Sequence, residues 1–238
     1  MKQAAALKPE TTRRRNPKRT RRRIFEAAFK EFAAKGFTGA RVDSIASRAG
    51  VNKRMLYIYF GDKKALLHAI MRGQFESKNP LVLAAPNDPA EALPYWHKLA
   101  RGDVDWIRLL QWEALSTGSR KVVCEEERRG GYVRILEKLR RAQADGFLNG
   151  DYEPEEMLLA MLALSIFPVA FPQIVRLVIG RSPLDRKFEE KWLGFLHGFA
   201  EHLRPYPAPA DALEGVAQAS SHRRRRDGRR RPAEVATS

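Results

Sequence analysis

The chain has 238 residues, a net charge of +16 and a single cysteine, Cys124. That length fits one large domain or a small one attached to a larger, and a lone cysteine excludes an internal disulfide framework and fits a reducing compartment. The first apolar stretch is broken by Lys8 and then by arginines, unlike a secretory signal, so a cytoplasmic protein is expected.

The charge is unevenly placed. Residues 1–23 carry ten Lys/Arg against one Glu, and residues 24–72 carry nine basic against four acidic side chains. Residues 73–204 are nearly balanced, eighteen against nineteen, and the stretch from Pro205 holds seven arginines against four acids. An electrostatic footprint for a polyanion therefore lies at the N-terminal end.

In chain order, residues 1–19 read as a disordered basic arm. Helical patterning begins near Thr20, with Ile24, Ala28 and Phe32 on one stripe, Phe25 and Phe29 beside it, and Gly36 as the stop. Val42, Ile45, Ala46 and Ala49 form a second apolar face. Gly50 then supplies a tight turn, and Asn52 caps a third helix that buries Leu56 and Phe60. Asp62 caps a fourth helix with Leu66, Leu67 and Ile70 inward.

Residues 80–89 read as a proline-rich connection. Helices are expected at about 90–101, 103–117, 121–146, 153–179 and 185–203, with turns at Gly118, Gly146 to Gly150 and Gly180 to Pro183. No run shows sustained strand alternation, so the fold class is all-α. Residues 205–238 form a low-complexity, Arg-rich tail expected to be disordered.

The third helix is distinctive. It is too short to be stable alone, and its polar side joins cations, Lys53 and Arg54, to phenols, Tyr57 and Tyr59. Cations reach phosphates and guanine edges, and phenols bond phosphate oxygens, so a helix-turn-helix motif at 41–60 is expected to enter the major groove of DNA.

Residues 20–72 resemble the DNA-binding domain of the TetR/AcrR family of transcriptional regulators. The resemblance runs through Gly36-Phe37, Val42, Ile45-Ala46, Ala49-Gly50-Val51, Lys53, Leu56-Tyr57, Phe60, Lys63 and Leu66-Leu67. It implies a three-helix head, 20–72, whose third helix reads DNA, joined by the fourth helix to a helical effector-binding and dimerisation body, 73–204. It implies roles for Arg41 at phosphate or a groove edge, Asn52 as cap, Lys53, Arg54 and Met55 at bases or phosphates, Tyr57 and Tyr59 on the backbone, and Lys63 at a phosphate. Arg54-Met55 stands where the family often has Gly-Thr.

The most apolar stretch, Met157 to Ile179, is interrupted by Pro168, Pro172, Gln173 and Arg176, which argues against a membrane span. An all-round apolar helix suits burial against its own body and a partner. The resemblance implies that the last two long helices pair with their copies in a homodimer, with Phe188, Trp192, Phe195 and Phe199 at the interface. Trp96, Trp106, Trp112, Phe167 and Phe171 are candidates for an apolar effector pocket, or equally for plain core packing. Glu113 is placed either against a cationic ligand or in an Arg pair.

No catalytic constellation stands out. The five histidines include no i, i+4 metal pair, and neither a phosphate-cradling loop nor a nucleophile elbow is present, so no enzyme activity and no cofactor are expected. The expected function is a ligand-responsive repressor, a homodimer on a palindromic double-stranded DNA operator with a small, largely apolar effector. The competing reading is a nonspecific nucleoid-associated or scaffolding protein driven by its basic tails.

Overall fold

Asn16 starts the first helix: its side-chain oxygen accepts from the N–H groups of Lys18 and Arg19, and α1 runs Pro17–Gly39. The computed structural model describes residues 16–117 and 122–205. A capping Asn followed by Pro at the first helical position is a strong start signal. It moves the start ahead of Thr20 and takes residues 17–19 out of the expected arm. Apolar spacing missed it because the first turn is wholly polar. The rest of that arm, the turn at Gly118 and the Arg-rich tail beyond 205 lie outside the described residues.

At Gly36 the helical backbone breaks (φ 66°, ψ −179°), in a region an L side chain does not comfortably adopt. Two eight-residue helices follow, α2 (Val42–Ala49) and α3 (Lys53–Phe60), then α4 (Lys63–Leu83). Helices of two turns are marginal in isolation. Here Ile45, Ala49, Leu56 and Phe60 close over Ile24, Ala28 and Phe32 of α1 and Leu66 and Ile70 of α4.

The expected connection at 80–89 is corrected: α4 continues through Pro80 to Leu83. A proline inside a helix removes one hydrogen bond and crowds the preceding turn. The last carbonyls of α4 are satisfied by distant side chains instead. Tyr95 donates its hydroxyl to Leu81 O at 2.9 Å, and the Lys138 ammonium reaches Leu83 O at 2.9 Å and also Ala85 O. Burial holds the Lys138 ammonium below the usual lysine range.

The body comprises α5 (Pro89–Gly102), α6 (Val104–Thr117), α7 (Glu125–Ala144), α8 (Pro154–Ala170), α9 (Pro172–Ile179) and α10 (Arg186–Ala200), closed by a 3-10 turn at Glu201–Leu203. The single helix expected at 153–179 is two helices bent by 83°. Pro172 cannot donate to the preceding turn, and Phe171 before it leaves helical geometry (φ −125°, ψ 62°). Gln111 donates to the freed Ala170 carbonyl at 2.7 Å. Among the described residues no single helix is long and apolar enough to cross a membrane.

Packing does not divide at residue 72. Trp106, Ile107 and Leu109 of α6 and Val169 of α8 belong to the same buried cluster as the head. A second cluster, with Leu93, Trp96, Ile135, Leu139, Leu148, Met161 and Leu196, fills the rest of the body.

Candidate nucleic-acid interface

The geometry of α2 and α3 follows from three small features. Gly50 lies in the left-handed region (φ 60°, ψ 41°), where a β-carbon would also collide with the Arg23 guanidinium. The N–H groups of Gly50 and Val51 return to Ser47 O and Ala46 O, each at 3.0 Å, which closes α2. Asn52 then caps α3, its Oδ1 accepting from Met55 N–H at 2.9 Å.

This turn leaves Lys53, Arg54, Tyr57 and Ile58 exposed on α3, with Leu56 and Phe60 buried and Met55 half-buried. Tyr59 corrects the expectation of two exposed phenols. It lies two residues beyond Tyr57, about 200° around the helix. It is half-buried against the head core, and Ile58, 65% exposed, takes the outward place.

The cations differ in what holds them. Arg54 is exposed and has no hydrogen bond or ion pair to the described residues. Lys53 is paired: its Nζ lies 3.1 Å from Asp43 Oδ1 and 3.2 Å from Oδ2. The hydrogen bond to Asp43 and its charge hold the Lys53 ammonium above the usual lysine range. Lys63, at the first position of α4, rests 4.8 Å over the Phe37 ring and 3.5 Å from Thr38 O. Arg41 sits exposed at the start of α2.

Sequence reasoning missed the anchor of this surface, Glu31. Its side chain is fully buried on α1 and accepts from Lys35 Nζ at 2.8 Å, Ser44 Oγ at 3.0 Å and Arg41 N–H at 3.4 Å, with Arg48 3.6 Å away. Burial alone would raise its pKa. The hydrogen bonds from Lys35, Ser44 and Arg41 and the Lys35 charge outweigh that and hold the carboxyl below the usual range. One buried carboxylate thus fixes the first turn of α2 against α1. The available signal was an acid three and four residues beyond Ala28 and Ala27, on the apolar stripe.

Comparison with known proteins agrees with this architecture. Residues 24–70 match the family described as bacterial regulatory proteins, tetR family, and residues 95–187 match the tetracyclin repressor-like C-terminal domain. The HTH-type transcriptional repressor SCO4008 of Streptomyces coelicolor is 31% identical over 169 residues, covering 70% of this chain and 86% of the relative. The chain belongs to the TetR family. Its function is accordingly transcriptional regulation through DNA binding, not catalysis.

Two further likenesses place this TetR-family regulator. The HTH-type transcriptional repressor NicS of Pseudomonas putida is 29% identical over 193 residues, 76% of this chain and 91% of NicS. The crystal structure of SCO4942 of Streptomyces coelicolor superposes with a TM-score of 0.66 at 26% identity, covering 79% of this chain and 99% of that one.

In the body of the regulator, the candidate pocket residues do not come together. Trp96 lines a cavity of ≈ 10 Å³, with Ala92, Lys138 and Met161 among its walls, room for about one water. Trp106 is buried in the head-side cluster, edge-on to Phe75 with centroids 4.8 Å apart. Trp112 of α6 plugs the break in α1: its indole N–H donates to Ala33 O at 3.2 Å, and a β-carbon on Gly36 would come within 2.8 Å of its ring. Phe167 and Phe171 lie together on the surface, 5.2 Å apart and 42% and 40% exposed. Glu113 pairs with Arg128 at 2.6 Å and accepts from Val123 N–H at 2.8 Å, so of the two placements it takes the Arg pair.

The aromatic stripe of α10 also splits. Phe188 is only 3% exposed and stacks on Trp192 inside the chain, so it is not offered to a partner, whereas Phe195 and Phe199 are exposed. The four rings lie within about 60° of one another around α10, so the split runs along the helix: Phe188 lies in its first turn and Phe195 and Phe199 towards its C-terminal end.

Proposed function

We propose that this regulator acts as a homodimeric repressor. Two copies pair through α8, α9 and α10 and hold their heads on a palindromic double-stranded DNA operator, which a small, largely apolar effector in the body releases. The observation that carries the pairing is the exposed apolar side chains of those three helices. Leu159, Leu177 and Val178 are 68%, 84% and 77% exposed, and Phe167, Phe195 and Phe199 are exposed as well. A patch of that kind on a regulator marks a protein interface.

Gly194 and Gly198 lie one helical turn apart beside Phe195 and Phe199, and among the described residues nothing stands within 4 Å of where their β-carbons would be. Glycine in a helix interior costs about 1 kcal/mol relative to alanine. No neighbour among the described residues needs that space, and a closely approaching second helix would. Two-fold pairing also suits a head that reads half-sites. SCO4008 and NicS are both repressors, which supports the sign of regulation.

The effector reading rests on the tetracyclin repressor-like match of the body, residues 95–187, since the cavity beside Trp96 holds only about one water. By linkage, an effector that releases DNA binds the DNA-free form more tightly. Light scattering of the purified chain and titration of its own promoter fragment test the proposal. A dimer is expected, with Leu177→Glu producing monomers and weakening operator binding. A wild-type monomer that binds the fragment with full affinity overturns it.

A further inference from the structure

Asp43 is an acid set among the cations of the reading surface. It lies in the first turn of α2, 75% exposed, with both carboxylate oxygens against the Lys53 ammonium at the first position of α3. Stability gains little from it: exposed ion pairs contribute little and are screened by salt, and an acid in the first turn of a helix adds at most about 1 kcal/mol. DNA affinity in general does not account for it either, since an anion facing phosphates opposes binding and withholds Lys53 from them.

The geometry of the pair suits a base edge. Its donor and acceptor stand 3.1 Å apart. The major-groove edge of a G·C pair presents an acceptor, guanine O6, beside a donor, cytosine N4–H₂. A Watson–Crick hydrogen bond joins these two, which sets them about 2.9 Å apart. A T·A pair offers O4 and N6 at similar spacing, but there the ammonium meets the thymine methyl. On guanine it finds N7 as a second acceptor beside O6.

We propose that Asp43 and Lys53 act as one unit that reads a G·C base pair in the bound DNA, the ammonium donating to guanine O6 and N7 and the carboxylate accepting from cytosine N4. Asp43 is thereby a specificity-determining residue. On arbitrary sequences its carboxylate keeps Lys53 from the nearest phosphate. On the matching pair both groups find partners without separating. The inference rests on the head as the DNA-reading surface and is independent of how copies pair or which effector binds.

Selection from a random double-stranded library tests it, using the full-length wild type, Asp43→Ala, Lys53→Met and the double variant. The wild-type motif is expected to contain a G·C position whose preference, about tenfold, disappears in either single variant. The double variant should lose no more than either single one, and preferences at other positions should persist. Thermal melting checks that α2 stays folded, and Lys53→Met, on the exposed side of α3, gives the same readout without touching α2. The pairing is overturned if Asp43→Ala keeps the G·C preference, if the dependent position proves to be T·A, or if Asp43→Ala only tightens binding to all duplexes alike. A wild-type motif without such a position overturns the pairing alone. A wild-type chain that enriches no motif overturns both the pairing and the reading of the chain as a sequence-specific regulator.

Discussion

The head and the body leave opposite things exposed. In the head most apolar side chains are inward, Ile58 excepted, and the outward groups of α2 and α3 include Arg41, Asp43, Lys53, Arg54 and Tyr57. In the body Arg101 pairs with Glu189, Arg128 with Glu113, Lys78 with Asp103 and Arg204 with Asp88, and α8 to α10 expose Leu159, Leu177, Val178, Phe195 and Phe199 alongside their charged residues. Each half lacks what its partner supplies: a polyanion for the head, hydrocarbon for the body. Yet the two share one buried cluster through α6. The contrast is therefore one of surfaces, not of separately folded units.

The largest expected effect addresses that last point. Trp106→Ala removes a buried ring from the shared cluster and should cost ~3–5 kcal/mol. Calorimetry should show head and body melting together at a lower temperature. Two separate transitions, with only one of them shifted, would break the claim of a shared core.

Glu31→Gln tests whether the head's surface depends on its buried anion, and should cost ~1–3 kcal/mol at neutral pH. The Glu31 pKa is lowered in the folded chain from an ordinary value of 4.5. Its stabilisation is thus present above pH 4.5 and lost as pH falls through the lower folded value. Denaturant titrations of wild type and variant should therefore converge on acidification, and a gap constant from pH 7 to pH 3 would contradict the assignment.

On DNA, Arg54→Ala should cost ~1–3 kcal/mol and flatten preference at one position. Equal loss on every duplex would move Arg54 from base reading to phosphate contact. Tyr57→Phe removes one hydroxyl and should weaken all duplexes by about threefold, with no change of preference, as seen by fluorescence anisotropy. A change in sequence preference would place Tyr57 among the base readers.

The head was the more legible half because its limits are written in local chemistry. Gly50, Asn52 and Asp62 each end or start a helix by their own conformation or capping oxygen, and α2 ends, and α3 and α4 begin, where those residues place them. The body's misread features depend on distant partners. Pro80 stays helical because Lys138 and Tyr95 serve the end of α4, and no local signal announces them. Pro172 did carry a local signal, but a continuous apolar stretch spoke for one helix, and the bend became apparent only with Phe171's dihedrals.

Side-chain roles were harder still. Tyr59 was misplaced by one step of helical angle and Phe188 by its place along α10, and the tryptophans scattered because each faces whichever neighbour its helix meets. Asp43 and Glu31 went unread for a related reason. An acid's meaning lies in its partners, and Lys53 and Ser44 stand ten and thirteen residues away.

The ring of Trp112 seated at the α1 break has a mechanical consequence. A head joined to its body through a common interior, and wedged at Gly36, has little freedom to swivel on a tether. For two chains joined back to back, the gap between reading helices then behaves as a caliper with a stiff arm. Such a caliper tolerates almost no change in the distance or phase between half-sites. A single inserted base pair moves the second half-site by about 3.4 Å and turns it by about 35° around the duplex axis, enough to take it out of register with the second jaw.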